Sequence, residues 1–286
     1  MDIREQASKA EQFRKLHHGP KLLFLPNAWD VASARILEEA GHPAIATTSA
    51  GIAYSLGYAD GQIISRDEML SMVARIARAV RVPVTADLEA GYGTSPKAIA
   101  ETVKAAIEAG AIGMNLEDLS GDEKNPLVDL PRQTEKIQAV REAASAMGVP
   151  FVLNARTDVY LAAIGPEETR FERTVERLTA FRKAGADCVF APGVTDLETI
   201  AKLVKAIEGP LNILAVPTCP PIAELEKAGV ARVSTGSGIM RAAMGVVQRV
   251  AKEMVEGRSC QSMFEGATPY IDLKRMMTRQ SSAAND

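Results

Sequence analysis

Short apolar runs and longer amphipathic stretches alternate along this chain from residue 22 to residue 256. The apolar runs are rich in Val, Ile, Leu and Ala with few polar interruptions, the pattern of strands buried on both faces. They predict strands over 22–26, 44–49, 82–89, 113–118, 151–158, 188–191, 211–216 and 232–236. Between them apolar residues recur at helical spacing. This predicts helices ending near 40, 80, 109, 147, 184, 207 and 228, and a last one over 239–256. Asp30 stands where it can cap the first of these helices, and Ser65 with Glu68 has capping-box spacing. A leading helix is predicted over 1–18, closed by Gly19-Pro20. The tail over 259–277 reads as helical and 281–286 as frayed.

Four helix-to-strand joints repeat one device: Glu39-Ala40-Gly41, Glu108-Ala109-Gly110, Lys183-Ala184-Gly185 and Lys227-Ala228-Gly229. Each puts a glycine just past a helix, where a left-handed residue is wanted. Eight strands alternating with eight helices predict an α/β fold, a (β/α)8 TIM-type barrel. It is expected as one domain over 1–286, with an N-terminal helix and a C-terminal helical extension over 239–280. An open doubly wound sheet shows the same alternation. Against it, the first strand-to-helix turn has no G-x-G-x-x-G.

Composition narrows the class. The 286 residues are 47% hydrophobic and 24% charged, with a net charge of −3. That is an ordinary globular balance, with no call for nucleic acid or an anionic membrane as partner. No apolar run approaches the roughly 18 residues of a transmembrane helix. Residues 1–15 are charged and lack the apolar centre of a signal peptide. Cys188, Cys219 and Cys260 are odd in number and far apart. They read as reduced thiols of a cytoplasmic protein.

In a barrel of this kind the site lies at the C-terminal ends of the strands. The densest chemistry there is over 83–93, PVTADLEAGYG. Asp87 and Glu89, two apart on a strand, are expected on one face. Like charges that close repel unless something positive lies between them. A hard divalent cation such as Mg2+ is the usual answer, and two solvated acids the plainer one. The other strand ends add Trp29 and Asp30, then Thr47, Ser49 and Asp60, then Asn115, Glu117 and Asp118. Asn154, Arg156 and Asp158 follow, then Thr218, Thr235 and Ser237.

The acids Asp87, Glu89, Glu117 and Asp60 can hold Mg2+, with Mn2+ as a substitute. Arg156 can bind a carboxylate as a fork. Ser49 with the amides of Ala50 and Gly51 can cradle an anion. Trp29, Asp30 and Thr218 complete the candidate substrate contacts, although Trp29 also suits the core and Asp30 a helix cap. Asp118 and Asp158 can instead pair internally with Arg156. The set suits a small 2-oxo acid that chelates metal through its carbonyl, with charge developing on an enolate oxygen. His17, His18 and His42 lie away from strand ends and read as structural or surface groups. Cys188, within a strand, reads as inert packing. A Schiff-base aldolase needs a lysine at a strand end, and strands three to eight offer none.

At these residues the chain resembles the phosphoenolpyruvate mutase/isocitrate lyase superfamily. The resemblance rests on Asn27-Ala28-Trp29-Asp30, Ser49-Ala50-Gly51 with Ser55-Leu56-Gly57, Asp60, Asp87-Leu88-Glu89-Ala90-Gly91-Tyr92-Gly93, Leu116-Glu117-Asp118 and Ala155-Arg156-Thr157-Asp158. It spans roughly residues 22–243. It implies an Mg2+-dependent enzyme acting through an enolate on 2-oxo acids or 2-hydroxy di- and tricarboxylates. It implies that Asp87 binds the metal while Asp60, Glu89 and Glu117 hold its waters. Ser49, Ala50 and Gly51 would then hold a substrate carboxylate, with Arg156 as second anchor. It also implies a homo-oligomer, tetramer or dimer, that exchanges the last barrel helix from Ile239.

The departures bear on the reaction. Isocitrate and methylisocitrate lyases carry a Lys-Lys/Arg-Cys-Gly-His-type loop whose cysteine is the acid/base. This chain has Ser120-Gly121-Asp122-Glu123-Lys124-Asn125-Pro126 instead. Lys124 and Asn125, in a mobile lid, are then the candidates, with Arg156 and Asp60, for the catalytic set. The stretches 190–193 and 216–220 lack the glutamate and asparagine that anchor a larger polycarboxylate. Glu89 stands where an aspartate is typical. The expectation is a carbon–carbon lyase for a small 2-oxo or 2-hydroxy acid. A phosphonopyruvate-type P–C mutase or hydrolase and a non-catalytic 2-oxo acid binder are the alternatives.

Overall fold

Pro26 divides the first predicted strand. In the computed structural model, which describes residues 2–278, it separates β1 (Leu23–Leu25) from β2 (Asn27–Ala28). The other staves are β3 (Ile45–Thr47), β4 (Val84–Asp87), β5 (Gly113–Glu117), β6 (Val152–Arg156), β7 (Cys188–Phe190), β8 (Leu211–Leu214) and β9 (Arg232–Ser234). They form one parallel sheet in the order β1-β9-β8-β7-β6-β5-β4-β3-β2. β1 pairs with β9, Leu23 opposite Arg232, while β2 pairs with β3, Asn27 opposite Ala46. Because β1 and β2 are two halves of one stave, the ring closes as a (β/α)8 barrel. Proline brings no N–H to a ladder. Its carbonyl still accepts from Ala46 N at 2.9 Å, so the stave changes neighbours there without a stranded donor.

The N-terminal helix Ile3–Leu16 crosses the N-terminal end of the barrel. Gln6 Nε2 donates to Ile107 O and Ala111 O, both at 2.8 Å, and Arg14 Nη2 to Pro150 O at 3.1 Å. Phe13 is fully buried there with the His17 ring edge-on at 4.8 Å. Burial and the Arg232 charge hold His17 down at about 3, so it is neutral and structural. This end is closed, and any site must lie at the other.

Several elements differ from the expected pattern. Residues 49–55 form a short helix, Ser49–Ser55, with Thr48 as its cap, where the sequence pattern predicts a strand end and a loop. At two turns it is too short to show a helical period. β4 stops at Asp87, and the chain then turns sharply, with φ of +52° at Glu89, +90° at Gly91 and +55° at Tyr92. Shared strand direction therefore does not align Glu89 with Asp87. The tail is a 3-10 turn, Gln261–Phe264, and a helix, Tyr270–Thr278, rather than one helix. The stretch expected to fray, 281–286, lies outside the described residues. Among the described residues, no helix is long and apolar enough to cross a membrane.

Candidate active site

Asp87 ends β4 and is held from four sides. Its backbone N–H donates to Thr47 Oγ1 at 2.9 Å. Its Oδ2 accepts from Ser49 N at 3.0 Å and Ser49 Oγ at 2.9 Å. Its Oδ1 accepts from Asn115 Nδ2 at 3.2 Å, and Asn115 Oδ1 in turn accepts from Asn154 Nδ2 at 2.8 Å. This buried relay across β4, β5 and β6 fixes one carboxylate orientation. Serine at the helix opening is thus spent on Asp87. The Gly51 amide donates to Thr48 Oγ1 at 3.3 Å, so the expected anion cradle is mostly occupied by the protein itself. Gly51 is required: a Cβ there would lie 2.6 Å from Thr48 Cγ2 and 2.9 Å from Trp29 Cβ. Trp29 is therefore a half-buried wall beside that helix.

Glu89 reaches the cluster from the turn after β4. Its side chain accepts from Gln62 N and, at 3.2 Å, from Tyr92 Oη. The left-handed turn leaves no space for side chains at Gly91 and Gly93. A Cβ on the first would meet Ile99 Cδ1 at 2.6 Å, and on the second Ala98 Cβ at 2.4 Å. Asp60 lies on an exposed loop within electrostatic reach of Asp87.

Arg156 ends β6. Its Nε and Nη2 both lie 2.8 Å from Asp158 Oδ1, and its Nη1 lies 3.0 Å from Glu117 Oε2. Asp158 is thus the internal partner weighed for it, and Glu117 is a second one. Asp118 is not: it accepts from Arg177 Nε at 2.6 Å, Thr157 Oγ1 at 2.6 Å and Asp158 N at 3.0 Å, which makes it a buried staple.

The electrostatics follow from counting charges. Glu117, Asp158, Asp87 and, more weakly, Asp60 share one guanidinium, and Glu89 adds its charge through Asp87 and Asp60. Burial first, then Asp87 and Asp60, push the Glu89 carboxyl up to about 7. Burial raises Glu117 too; Arg156 pulls it back, and Asp158, Asp87 and Glu89 push it up again. Desolvation and then Asp87 raise Asp60. For Arg156, burial opposes the charge, yet Glu117, Asp158 and Asp87 outweigh it and hold the pKa above normal. Burial is the largest cause for each acid; the surplus of negative charge shows in Arg156, which neighbouring carboxylates hold up against burial. The donors are all oxygens, as a hard dication prefers. Among the described residues, no three His, Cys, Asp or Glu side chains could together ligate one ion. Such a cation would be bound largely through water, which Mg2+ tolerates.

Other expected contacts fall outside this cluster. Asp30 caps the helix Val31–Glu39: its Oδ1 accepts from Ser33 N at 2.7 Å, which takes its carboxylate away from the site. Thr218 is exposed on a turn. Lys124 and Asn125 lie on an exposed loop folded on itself. There Lys124 N donates to Asp122 Oδ1 at 2.9 Å and Asn125 Nδ2 to Asp122 Oδ2 at 3.2 Å. Thr235 and Gly236 close the barrel, their amides donating to Asn27 Oδ1 at 2.9 and 3.0 Å. Burial pushes Cys188 up to about 12, consistent with inert packing.

Two features escape a reading of the sequence. Gln62 joins the Glu89 turn, its Oε1 accepting from Tyr92 N at 2.8 Å. Arg241 lines a recess of about 360 Å³ at the ends of β8 and β9, with Val216, Pro217, Thr235 and Ser237. The available signal was a cation in the first turn of the last helix, beside a hydroxyl-rich strand end.

Comparison with known proteins gives consistent results. The family model described as phosphoenolpyruvate phosphomutase matches residues 13–255. An uncharacterized protein of Mycobacterium tuberculosis is 34% identical over 262 residues, covering 92% of this chain and 94% of that one. The 2-methylisocitrate lyase of Escherichia coli K12 is 32% identical over 183 residues, 62% of this chain and 60% of that one. Among solved structures, oxaloacetate acetylhydrolase with its product oxalate superposes with a TM-score of 0.82 at 28% identity, covering 96% and 95% of the two chains. A 2,3-dimethylmalate lyase gives 0.82 at 27%, covering 94% of each.

Proposed function

The chain belongs to the phosphoenolpyruvate mutase/isocitrate lyase superfamily, and from that premise we propose a divalent-metal-dependent lyase that cleaves a C–C bond in a small 2-oxo or 2-hydroxy acid. The observation that carries this reading is the surplus of carboxylates around Arg156, with Asp60, Glu89, Glu117 and Asp158 all displaced upward. Asp87 would hold Mg2+ or Mn2+, and Asp60, Glu89 and Glu117 would hold its waters. When bound, the ion supplies stabilisation of the charge that develops on the substrate's enolate oxygen.

The protein's own groups do the rest. Ser49, Asn115 and Asn154 fix the Asp87 carboxylate. Arg156, whose side chain is 17% exposed, would offer its remaining N–H groups to the substrate carboxylate, with the Ala50 amide and Trp29 as further contacts. Arg241, in its recess, suits a second carboxylate. Asp60 would take the proton of the substrate's 2-hydroxyl, or of a water that adds to its 2-oxo carbon; that oxygen becomes a carbonyl or carboxylate oxygen of one product as the C–C bond breaks, and the bond's electron pair collects as an enolate on the other fragment. Lys124, if the exposed 119–129 loop closes over the site, would deliver the proton that quenches it, with Asn125 as a hydrogen-bond donor beside it.

A screen of 2-oxo and 2-hydroxy acids with Mg2+ or Mn2+, reading pyruvate, oxalate, glyoxylate and phosphate, tests this. Loss of turnover in Asp87→Ala and a raised KM in Arg156→Ala are expected. Full turnover by Asp87→Ala refutes the metal role. The phosphomutase description of the matching family supports a second reading, P–C chemistry on a phosphonopyruvate-like acid; phosphate release in the same screen separates it. Calorimetric binding without any product would indicate a non-catalytic 2-oxo acid binder.

The protein is also proposed to be a homo-oligomer of the cytoplasm, tetramer or dimer, with the last barrel helix packed on another copy. The helix Gly238–Glu256 buries only Met240 of its own residues, and Val247, Val255, Tyr270 and Ile271 are 58, 82, 81 and 67% exposed. A monomer in light scattering at micromolar concentration would overturn this.

A further inference from the structure

Two polar side chains on one face of the helix Leu130–Ala146 are buried without a part in the scheme above. Lys136 is 2% exposed and Gln133 fully buried. Three residues apart on a helix, they point the same way. Lys136 Nζ donates to Ala90 O at 2.8 Å, and Gln133 Nε2 donates to Glu117 O at 3.1 Å. Both acceptors are main-chain carbonyls at the ends of neighbouring staves. One belongs to Glu117 itself and the other to the residue after Glu89. A third bond ties the same two segments together, from Glu117 N to Glu89 O at 3.0 Å.

The Glu89 turn needs such a tie. Glu89 and Tyr92 are non-glycine residues at φ of +52° and +55°, a conformation that persists only where surroundings impose it. Gln62 and Tyr92 hold the Glu89 carboxylate through part-buried bonds, not its backbone from the buried side. Lys136 is the buried side chain that grips its backbone. A buried amine is costly unless it does something that an apolar group cannot. Its surroundings include the carboxylates of Glu117 and Asp118, whose charges favour the protonated amine, and Arg132, whose charge opposes it.

We propose that Lys136, with Gln133, is a positioning residue: it clamps the turn after β4 so that Glu89 is set at a fixed distance from Asp87 and Glu117. This rests on the metal reading above, since the spacing matters for a hydrated cation. The 119–129 loop joins the same helix through the Asp129 cap.

The test uses Lys136→Met, which keeps the stem and removes the donor, and Lys136→Arg, which restores one. Lys136 is among the residues lining a cleft of about 440 Å³, with Thr94, Leu127 and Arg132, which gives a longer side chain room. Two readouts are taken on the full chain: Mn2+ affinity by electron paramagnetic resonance, and deuterium uptake of the peptide over 88–94 without metal. Lys136→Met is expected to weaken Mn2+ binding about tenfold or more, as loss of outer-shell support does. Its uptake over 88–94 should rise, its metal-free melting temperature should be kept, and Lys136→Arg should restore both readouts. A merely structural lysine predicts the reverse, a lower melting temperature with unchanged Mn2+ affinity. That result, or unchanged uptake, overturns the proposal. If the wild type binds no Mn2+, the metal reading fails separately and the uptake alone decides the clamp. Should Lys136→Met not fold, Lys136→Gln, too short to reach Ala90 O, replaces it under the same criteria.

Discussion

Replacing Arg156 with methionine tests the charge balance of the site directly. The guanidinium makes two contacts of 2.8 Å to Asp158 Oδ1 and one of 3.0 Å to Glu117 Oε2. The Asp158 side chain is 0% exposed and its Oδ2 has no other partner among the described residues. Removing one member of a buried pair costs about 3–5 kcal/mol, mainly because the other is stranded. Asp158 can escape by taking a proton. From an ordinary aspartate pKa, at pH 7, that costs about 4 kcal/mol. Burial already raises Asp158, so the real escape is cheaper. A loss of about 3 kcal/mol is therefore expected at pH 7. With a urea slope of about 3 kcal/mol/M for a chain this size, the midpoint should fall by about 1 M. The double variant Arg156→Met/Asp158→Asn removes the stranded charge and should recover about 2 kcal/mol. Urea unfolding of metal-free protein at constant slope measures both. If Arg156→Met unfolds within about 1 kcal/mol of wild type, or if the double variant is no more stable than the single, the charge-cluster account is wrong.

Three further outcomes are expected. Glu89 is held near 7 in the folded protein, against an ordinary 4.5. The fold thus binds a proton that the unfolded chain releases, and metal-free protein should gain about 1 kcal/mol as pH falls from about 8 to about 6. Raised Glu117 adds in the same direction, and a melting temperature that falls over this range, read by calorimetry with chelator, would contradict it. Asp87→Asn keeps the shape but loses the charge, so Mn2+ titration should show no tight site while circular dichroism is unchanged. Retained tight binding would remove Asp87 from the metal set. Gly91→Ala must accept φ of +90° and contacts of 2.6 Å to Ile99 Cδ1 and 2.9 Å to Leu116 Cδ1. It should cost about 3 kcal/mol in urea unfolding, against about 1 kcal/mol for Gly57→Ala, which meets only the backbone penalty. Equal costs would show that packing at Gly91 is not tight.

The alternation of buried runs with amphipathic stretches, and the glycines behind four helices, were enough to predict alternating strands and helices, and the missing G-x-G-x-x-G favoured a (β/α)8 barrel over an open sheet. These signals are local: a strand's burial and a helix's period are written within a few residues. For the same reason the amino-acid sequence by itself puts Asp87, Glu117 and Arg156 at strand ends. Relations across staves were not legible. No local pattern told that Pro26 would hand one stave from β9 to β3, or that Ser49 would donate to Asp87. The pairing of Asp158 with Arg156 was among the readings the sequence allowed, but nothing local showed that Glu117 would join it or that Asp118 would choose Arg177 instead. Ser49 and Asp87 are 38 residues apart along the chain, and Asp118 and Arg177 are 59. Such pairing is set by barrel closure and register, which bring distant segments within hydrogen-bond reach only once the whole sheet has formed. The Glu89 turn shows the same limit, since its left-handed backbone is imposed by tertiary contacts that its own residues would not select.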